Sequence, residues 1–236
     1  MSEMARSVSP GPDVEVITHL PGGPVFFAST KLSSFLPLRD DGASNKLRLG
    51  LLVALLDALH DRPQSPVRGP GLEIAEPRPY EKSTDEIIVR HDPRGRPSLS
   101  VDGREGPSIS FTHTDQTTWA ALGNARRLGI DAALKADFLG PYPWGRAFRS
   151  SEMDRAVGLI GGDKPLAAAL LWSLKEAAVK AFGQGFHGVD PQDVVAVELR
   201  PWEGGFAGDV RVSETSGPQT VWARREPWGW LSLMAS

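Results

Sequence analysis

The chain contains no cysteine, which removes disulfides, thiolate nucleophiles and cysteine-based zinc sites. It has no basic surplus either: 26 Lys and Arg stand against 29 Asp and Glu, for a formal net charge of −3. Nucleic-acid-binding proteins usually carry the opposite sign, so no nucleic-acid partner is expected. A local basic groove for a polyanionic small molecule is compatible with any net charge. Long apolar runs are also missing. The longest, around Leu49–Leu59 and Leu166–Trp172, are too short to cross a bilayer. The opening residues, Met1-Ser-Glu-Met-Ala-Arg-Ser-Val-Ser-Pro10, lack the continuous apolar segment of a secretion signal. These absences lead to the expectation of a cytoplasmic protein with no membrane partner.

What is present suits a globular chain: 236 residues, 40% hydrophobic and 23% charged, enough for one large domain or two small ones. Residues 1–13 are rich in Ser, Pro and Gly and are expected to be flexible. Val14–Leu20 alternates like a strand, Val25–Ala28 is a second strand, and Asn45–His60 reads as a mostly buried helix. Pro63–Pro79 is expected to be a loop. Ile87–Arg90 predicts a short strand leading into Asp92-Pro-Arg-Gly-Arg-Pro97, and residues 108–131 predict a three-strand meander with a turn at Asp115-Gln116. A helix is expected from about Ser150, capped by Ser150 or Ser151. A longer one runs over 166–182, with Pro165 at its start and Gly183 at its end. Four short strands follow: Val194–Leu199, Asp209–Ser213, Val221–Arg225 and Trp228–Met234. Strands, a helix and more strands thus occur twice, which predicts an α+β protein.

The longer helix carries the clearest chemical signal. Trp172, Glu176 and Lys180 recur at four-residue intervals, which places them on one stripe of a helix. An isolated surface Glu–Lys pair of this spacing is worth only about 0.3 kcal/mol, so the stripe alone decides nothing. Upstream, Ser108-Ile-Ser-Phe-Thr-His-Thr114 ends one predicted strand with a histidine, and Gly129-Ile130-Asp131 places a carboxylate on another. A His, an Asp and a Glu/Lys stripe together make a plausible site for a cation and a phosphate.

In this order and spacing, Gly95-Arg96-Pro97, Thr112-His113-Thr114, Gly129-Ile130-Asp131, Phe148-Arg-Ser-Ser-Glu152 and Trp172 through Gly183 resemble the motifs of the Sfp-type 4′-phosphopantetheinyl transferases. The resemblance covers roughly residues 90 to 190, and its helical motif is the most specific part. It implies two similar α/β halves related by a pseudo-twofold axis, with the active site between them. The expected division is an N-terminal half over 14–115 and a C-terminal half over 116–236, on one monomeric chain.

The resemblance further implies a function: Mg²⁺-dependent transfer of the 4′-phosphopantetheine arm of coenzyme A to a serine of an apo acyl or peptidyl carrier protein. Asp131 and Glu176 are then metal ligands, and Glu176 is also the candidate base for the serine proton. Asp131, Glu176 and Lys180 are the expected catalytic residues, with Lys180 on the pyrophosphate or simply paired with Glu176. Ala133 stands where the family usually has a third acid. A water or a nearby side chain is expected to replace it, Thr114 being the best placed, with Asp115 and Gln116 as others. Coenzyme A is expected to meet Thr112, His113, Arg96, Lys175 and Lys180, together with Lys46 or Arg48 at its 3′-phosphate. For Lys175 the alternatives are a role in holding the helix or plain solvation, and Trp172 is expected to pack in the core. Two competing readings are a coenzyme A or carrier-protein binder without efficient transfer, and a bare interaction module of the same fold.

Overall fold

The structure, a computed structural model, describes residues 12, 14–18, 20, 22–31, 41–60, 86–115, 117–202, 204–214 and 216–236, without the side chains of residues 41–47 and 60. The expectations for residues 1–13 and for Pro63–Pro79 fall, apart from residue 12, outside the described residues. Strands Val14–Ile17 (β1) and Val25–Lys31 (β2) precede helix α1 at Asp41–His60, which starts four residues before its predicted onset. Next come Ile87–His91 (β3), Pro97–Val101 (β4), Arg104–Glu105 (β5), Ser108–His113 (β6), Thr117–Gly123 (β7) and Leu128–Leu134 (β8). A 3₁₀ turn at Lys135–Phe138 leads to helices Trp144–Ala147 (α2), Ser150–Leu159 (α3) and Lys164–Ala181 (α4). Strands Val195–Trp202 (β9), Gly205–Arg211 (β10), Gln219–Glu226 (β11) and Gly229–Ala235 (β12) close the chain. The fold is mixed α+β. Among the described residues no helix is long and apolar enough to cross a membrane.

Period-two alternation explains how the layers stack. The first sheet has the order β1-β2-β7-β6 and the second β8-β12-β11-β10-β9. Phe26 and Ala28 of β2 pack under α1 with Leu51, Leu52 and Leu55. Their neighbours Val25 and Phe27 point the other way, into a cluster with Trp119, Ile130, Leu231 and Leu233 that joins the two sheets face to face. On the far side of the second sheet, Trp230 and Met234 pack with the Ala- and Leu-rich helix α4. The Trp230 indole N–H donates to Leu166 O at 3.0 Å, and the Ser173 and Ser232 hydroxyls share a hydrogen bond of 2.7 Å. A third, small sheet, β3-β4-β5, adds to the first half.

Two expectations change here. The three strands of 108–131 are present, but the third does not extend the meander. β8 leaves β7 and pairs antiparallel with β12. The division expected at 115/116 therefore cuts the β6–β7 hairpin; sheet membership changes between Gly123 and Leu128. The second change is at α3, whose N-cap is Arg149 with no side-chain cap, not a serine.

The edges of the two sheets meet at β6 and β8. Ile130 N–H donates to Ser110 Oγ at 3.1 Å and Ala132 N–H to Thr112 Oγ1 at 3.3 Å. Two hydroxyls of one strand thus satisfy alternate backbone donors of the other, as a missing ladder would otherwise require. Behind this seam, α4 lies so close to β8 that a Cβ on Gly129 would sit 2.0 Å from Ala177 O. The obstacle is backbone, so it cannot rotate away. Gly129→Ala is expected to cost about 3 kcal/mol, the upper end of overpacking effects, and to lower the melting temperature by roughly 10 °C in a thermal unfolding scan. Unchanged melting would show that α4 is not held against β8 in this way.

Candidate active site

The seam between β8 and α4 carries the acids. Between Leu166 and Ala181, every residue of α4 is buried except Trp172, Glu176 and Lys180, so the stripe read from the spacing is the open side of that stretch. Asp131 shares the face of β8 that bears Gly129, and therefore looks toward α4. Lys180 Nζ donates to Asp131 Oδ1 at 2.6 Å and to Ile130 O at 3.3 Å. The Thr112 hydroxyl donates to the same Asp131 Oδ1 at 3.1 Å. Asp131 Oδ2 accepts no hydrogen bond among the described residues.

Among the described residues Glu176 has no such partner. Burial first, and then the charge of Asp131, push its carboxyl up to about 7, while Lys180 offsets part of this. Lys180 is therefore paired with Asp131 and not with Glu176, its neighbour one turn away. The result is two close carboxylates, two oxygen-donor groups with free lone pairs, and one ammonium. Hard oxygen donors of this kind suit Mg²⁺, which also takes waters and phosphate oxygens, so the donor set fits that ion. Among the described residues no group of three or more acids or histidines gathers to hold a metal.

Beside the acids opens a cavity of about 230 Å³ whose charged lining is basic: Arg48, Arg94, Arg96 and Lys180, with His91 at its edge. Its position follows from local backbone chemistry. In the β3–β4 turn, Asp92 Oδ1 accepts the Arg94 and Arg96 backbone N–H groups, each at 2.9 Å. Gly95 takes φ of +82°, a conformation that favours glycine. This fixed turn presents two arginines on either side of one glycine. Arg96 lies on Gly183, where a Cβ would come within 2.8 Å of its Cδ, so the end of α4 and the turn fit together. Arg48 stacks 5.5 Å from the Phe111 ring centroid, and its Nε is buried without a partner among the described residues. A buried, unsatisfied guanidinium nitrogen in a basic cavity calls for an anionic ligand.

Other expected site residues sort as follows. His113 ends β6 on the same face as Ile109 and Phe111, which line the cavity, and is exposed. Thr112 is buried, and its hydroxyl donates to Asp131 and accepts from the Ala132 backbone N–H. Lys175 is corrected. It is fully buried on another side of α4, with Nζ 2.6 Å from Glu152 Oε1 and donating to Ala147 O and Pro191 O. It cannot reach a ligand in the cavity. Thr114 donates its backbone N–H to Thr117 O in the hairpin, and the hydroxyl that reaches Asp131 belongs to Thr112. Asp115 faces Asp137 instead, whose carboxyl is raised by burial and then by the Asp115 charge. Ala133 is buried in the core beneath α4. Trp172 packs on Phe186 at 4.9 Å between centroids. The Lys46 side chain and Gln116 lie outside the described residues. Arg94 and His91 were missed by sequence reasoning; the Asp-Pro-Arg-Gly-Arg turn after a predicted strand was the available signal for Arg94.

The family model described as the 4′-phosphopantetheinyl transferase superfamily matches residues 127–220. None of the curated proteins compared with the chain matches it. The matched segment holds Asp131, Glu176 and Lys180, that is, the acid pair and its ammonium. Arg48, Arg94, Arg96, Thr112 and His113 precede it, so the three arginines of the cavity come from the part of the chain before the matched segment and Lys180 from within it.

Proposed function

We propose that this chain transfers the 4′-phosphopantetheine arm of coenzyme A to a serine hydroxyl of an apo acyl or peptidyl carrier protein. The observation that carries the reading is the contiguity of the basic cavity with the Asp131–Glu176 pair, linked by Lys180, which belongs to both. A nucleotide bearing a pyrophosphate and a further phosphate needs such a wall, and a reaction at that pyrophosphate needs acids for a divalent ion next to it. The two sheets, each backed by one long helix, support a pseudo-twofold arrangement with the site at the seam.

In the reaction the serine oxygen attacks the phosphorus that bears the pantetheine arm. A new P–O bond forms, the bond to the bridging oxygen breaks, and adenosine 3′,5′-bisphosphate leaves. Arg48, Arg94 and Arg96 bind and orient the phosphates of the nucleotide. Lys180 neutralises charge that develops on the leaving side. Asp131 and Glu176 would hold Mg²⁺, which when bound supplies further charge neutralisation on the pyrophosphate. Glu176, raised to about 7, lies near neutrality in the metal-free protein, where a general base is most effective; as a metal ligand it would pass this role to a water it positions. Thr112 keeps the Asp131 carboxylate turned toward α4.

Incubation of apo carrier protein with coenzyme A and Mg²⁺ tests the proposal. The expected result is a mass gain of one phosphopantetheine, with kcat lower by about 100-fold or more in Lys180→Ala. No gain on acyl, peptidyl or aryl carriers overturns it. One observation favours a second reading, a protein that holds coenzyme A without efficient transfer: the acid pair has no third member among the described residues, and Ala133 is core. Tight coenzyme A binding by calorimetry, with no carrier modified, would establish that reading.

A further inference from the structure

Lys180 stands where two ligands have to bind. It lines the basic cavity, yet its ammonium is spent on Asp131 Oδ1 and Ile130 O. The remaining Asp131 oxygen and the Glu176 carboxylate are the free donors of the pair. A divalent cation taking those donors would sit against an ammonium bound to the other oxygen of the same carboxylate, and like charges at that separation in a half-buried seam repel. The lysine side chain, unlike a guanidinium fork, is a point charge on a flexible stem. Thr112 continues to hold Asp131 Oδ1 when the ammonium leaves, so the carboxylate keeps its orientation.

We infer that Lys180 is a gate on the acid pair: it occupies Asp131 until an incoming polyphosphate draws it into the cavity, and only then is the pair open to a divalent cation. Cation and anionic ligand accordingly bind with positive coupling, each strengthening the other, as linkage requires. The chain does not hold a resident metal in advance of its nucleotide. The inference rests on the reading of Asp131 and Glu176 as metal ligands given above.

Mn²⁺ binding to the full chain in the absence of any nucleotide, followed by electron paramagnetic resonance of the free ion, tests the gate without reference to turnover. Lys180→Met is expected to bind Mn²⁺ at least about tenfold more tightly than the wild type, the size of an ordinary coupling between sites. Lys180→Arg keeps the charge and is expected to stay within about threefold of the wild type. Asp131→Asn abolishes binding in both backgrounds. Equal or weaker Mn²⁺ binding by Lys180→Met than by the wild type overturns the gate, and so does Lys180→Arg binding Mn²⁺ as tightly as Lys180→Met. Should Lys180→Met be less stable, the Mn²⁺-induced rise in its melting temperature replaces the titration: a larger rise than in the wild type supports the gate, an equal or smaller one overturns it. A chain that modifies carriers while Lys180→Met binds Mn²⁺ no better loses the gate alone. Tighter Mn²⁺ binding in a chain that modifies no carrier keeps the gate and removes the transferase.

Discussion

Glu176→Gln is expected to yield a more stable protein and an inactive transferase. The carboxyl of Glu176 is lifted from its ordinary value of 4.5 to about 7 by burial and by the charge of Asp131. A group raised in the folded state contributes stability that is fully present below its unfolded value and lost as the pH rises through its folded value. In the metal-free wild type that loss is complete by pH 8 and amounts to about 3 kcal/mol, taking about 1.4 kcal/mol for each pH unit of displacement. Glutamine has no charge to bury and escapes it. Lys180 is not left unpaired, because its partner is Asp131 at 2.6 Å. Melting in the presence of a chelator is therefore expected to rise by roughly 6–12 °C at pH 8 in the variant, given 2–4 °C per kcal/mol for a chain of this size. At pH 5 the difference shrinks to a few degrees. Activity falls in the same variant, since an amide neither accepts a proton nor serves as an anionic ligand. A stabilised, inactive variant marks a site where like charges are held together for function. Equal melting of the two proteins at pH 8 would mean that neither burial nor Asp131 raises the Glu176 carboxyl in the folded chain.

That strain was only half legible in the sequence. Helical periodicity is a local property, so the spacing of Trp172, Glu176 and Lys180 predicted their common stripe, and the stripe is indeed the open side of α4. Pairing is not local. The same spacing favours a Glu176–Lys180 pair, whereas the fold supplies Asp131, 49 residues away in sequence, and gives Lys180 a carboxylate already fixed by Thr112. Strands followed the same rule. Period-two alternation found β6, β7 and β8, but it says nothing about partners, and β8 pairs with β12 a hundred residues later because both bury Leu and Ile between the sheets. β4 escaped detection because it opens on Pro97 and alternates serines with its two apolar residues. Gly205 and Gly208 hid the start of β10. In both cases the glycine leaves room that a side chain would take: a Cβ on Gly205 would sit 2.0 Å from Ala223 O and one on Gly208 2.9 Å from a Leu174 methyl, a crowding that only the folded protein reveals.

Lys175 shows the same limit, and it carries the other large expected effect. One residue of helical rotation, about 100°, takes it off the open stripe and into the interior, where it meets Glu152 with both side chains fully buried. Burial raises the Glu152 carboxyl and lowers the Lys175 ammonium, each partly restored by the other. Lys175 also donates to Ala147 O and Pro191 O, so one ammonium ties α4 to the start of α3, to the end of α2 and to the segment before β9. Removing either partner leaves a charge buried alone. Glu152→Ala and Lys175→Met are each expected to destabilise by about 3–5 kcal/mol, measured as urea unfolding free energies. The pair Glu152→Leu with Lys175→Met buries no charge, and most of the loss should return. Its kcat on a carrier protein, taken well below the melting temperature, should lie near that of the wild type, because neither side chain reaches the cavity. If the double variant is no more stable than the singles, the pair is not an isolated buried charge couple. If its stability returns while its kcat does not, Lys175 acts on the reaction after all, through the adjoining Glu176.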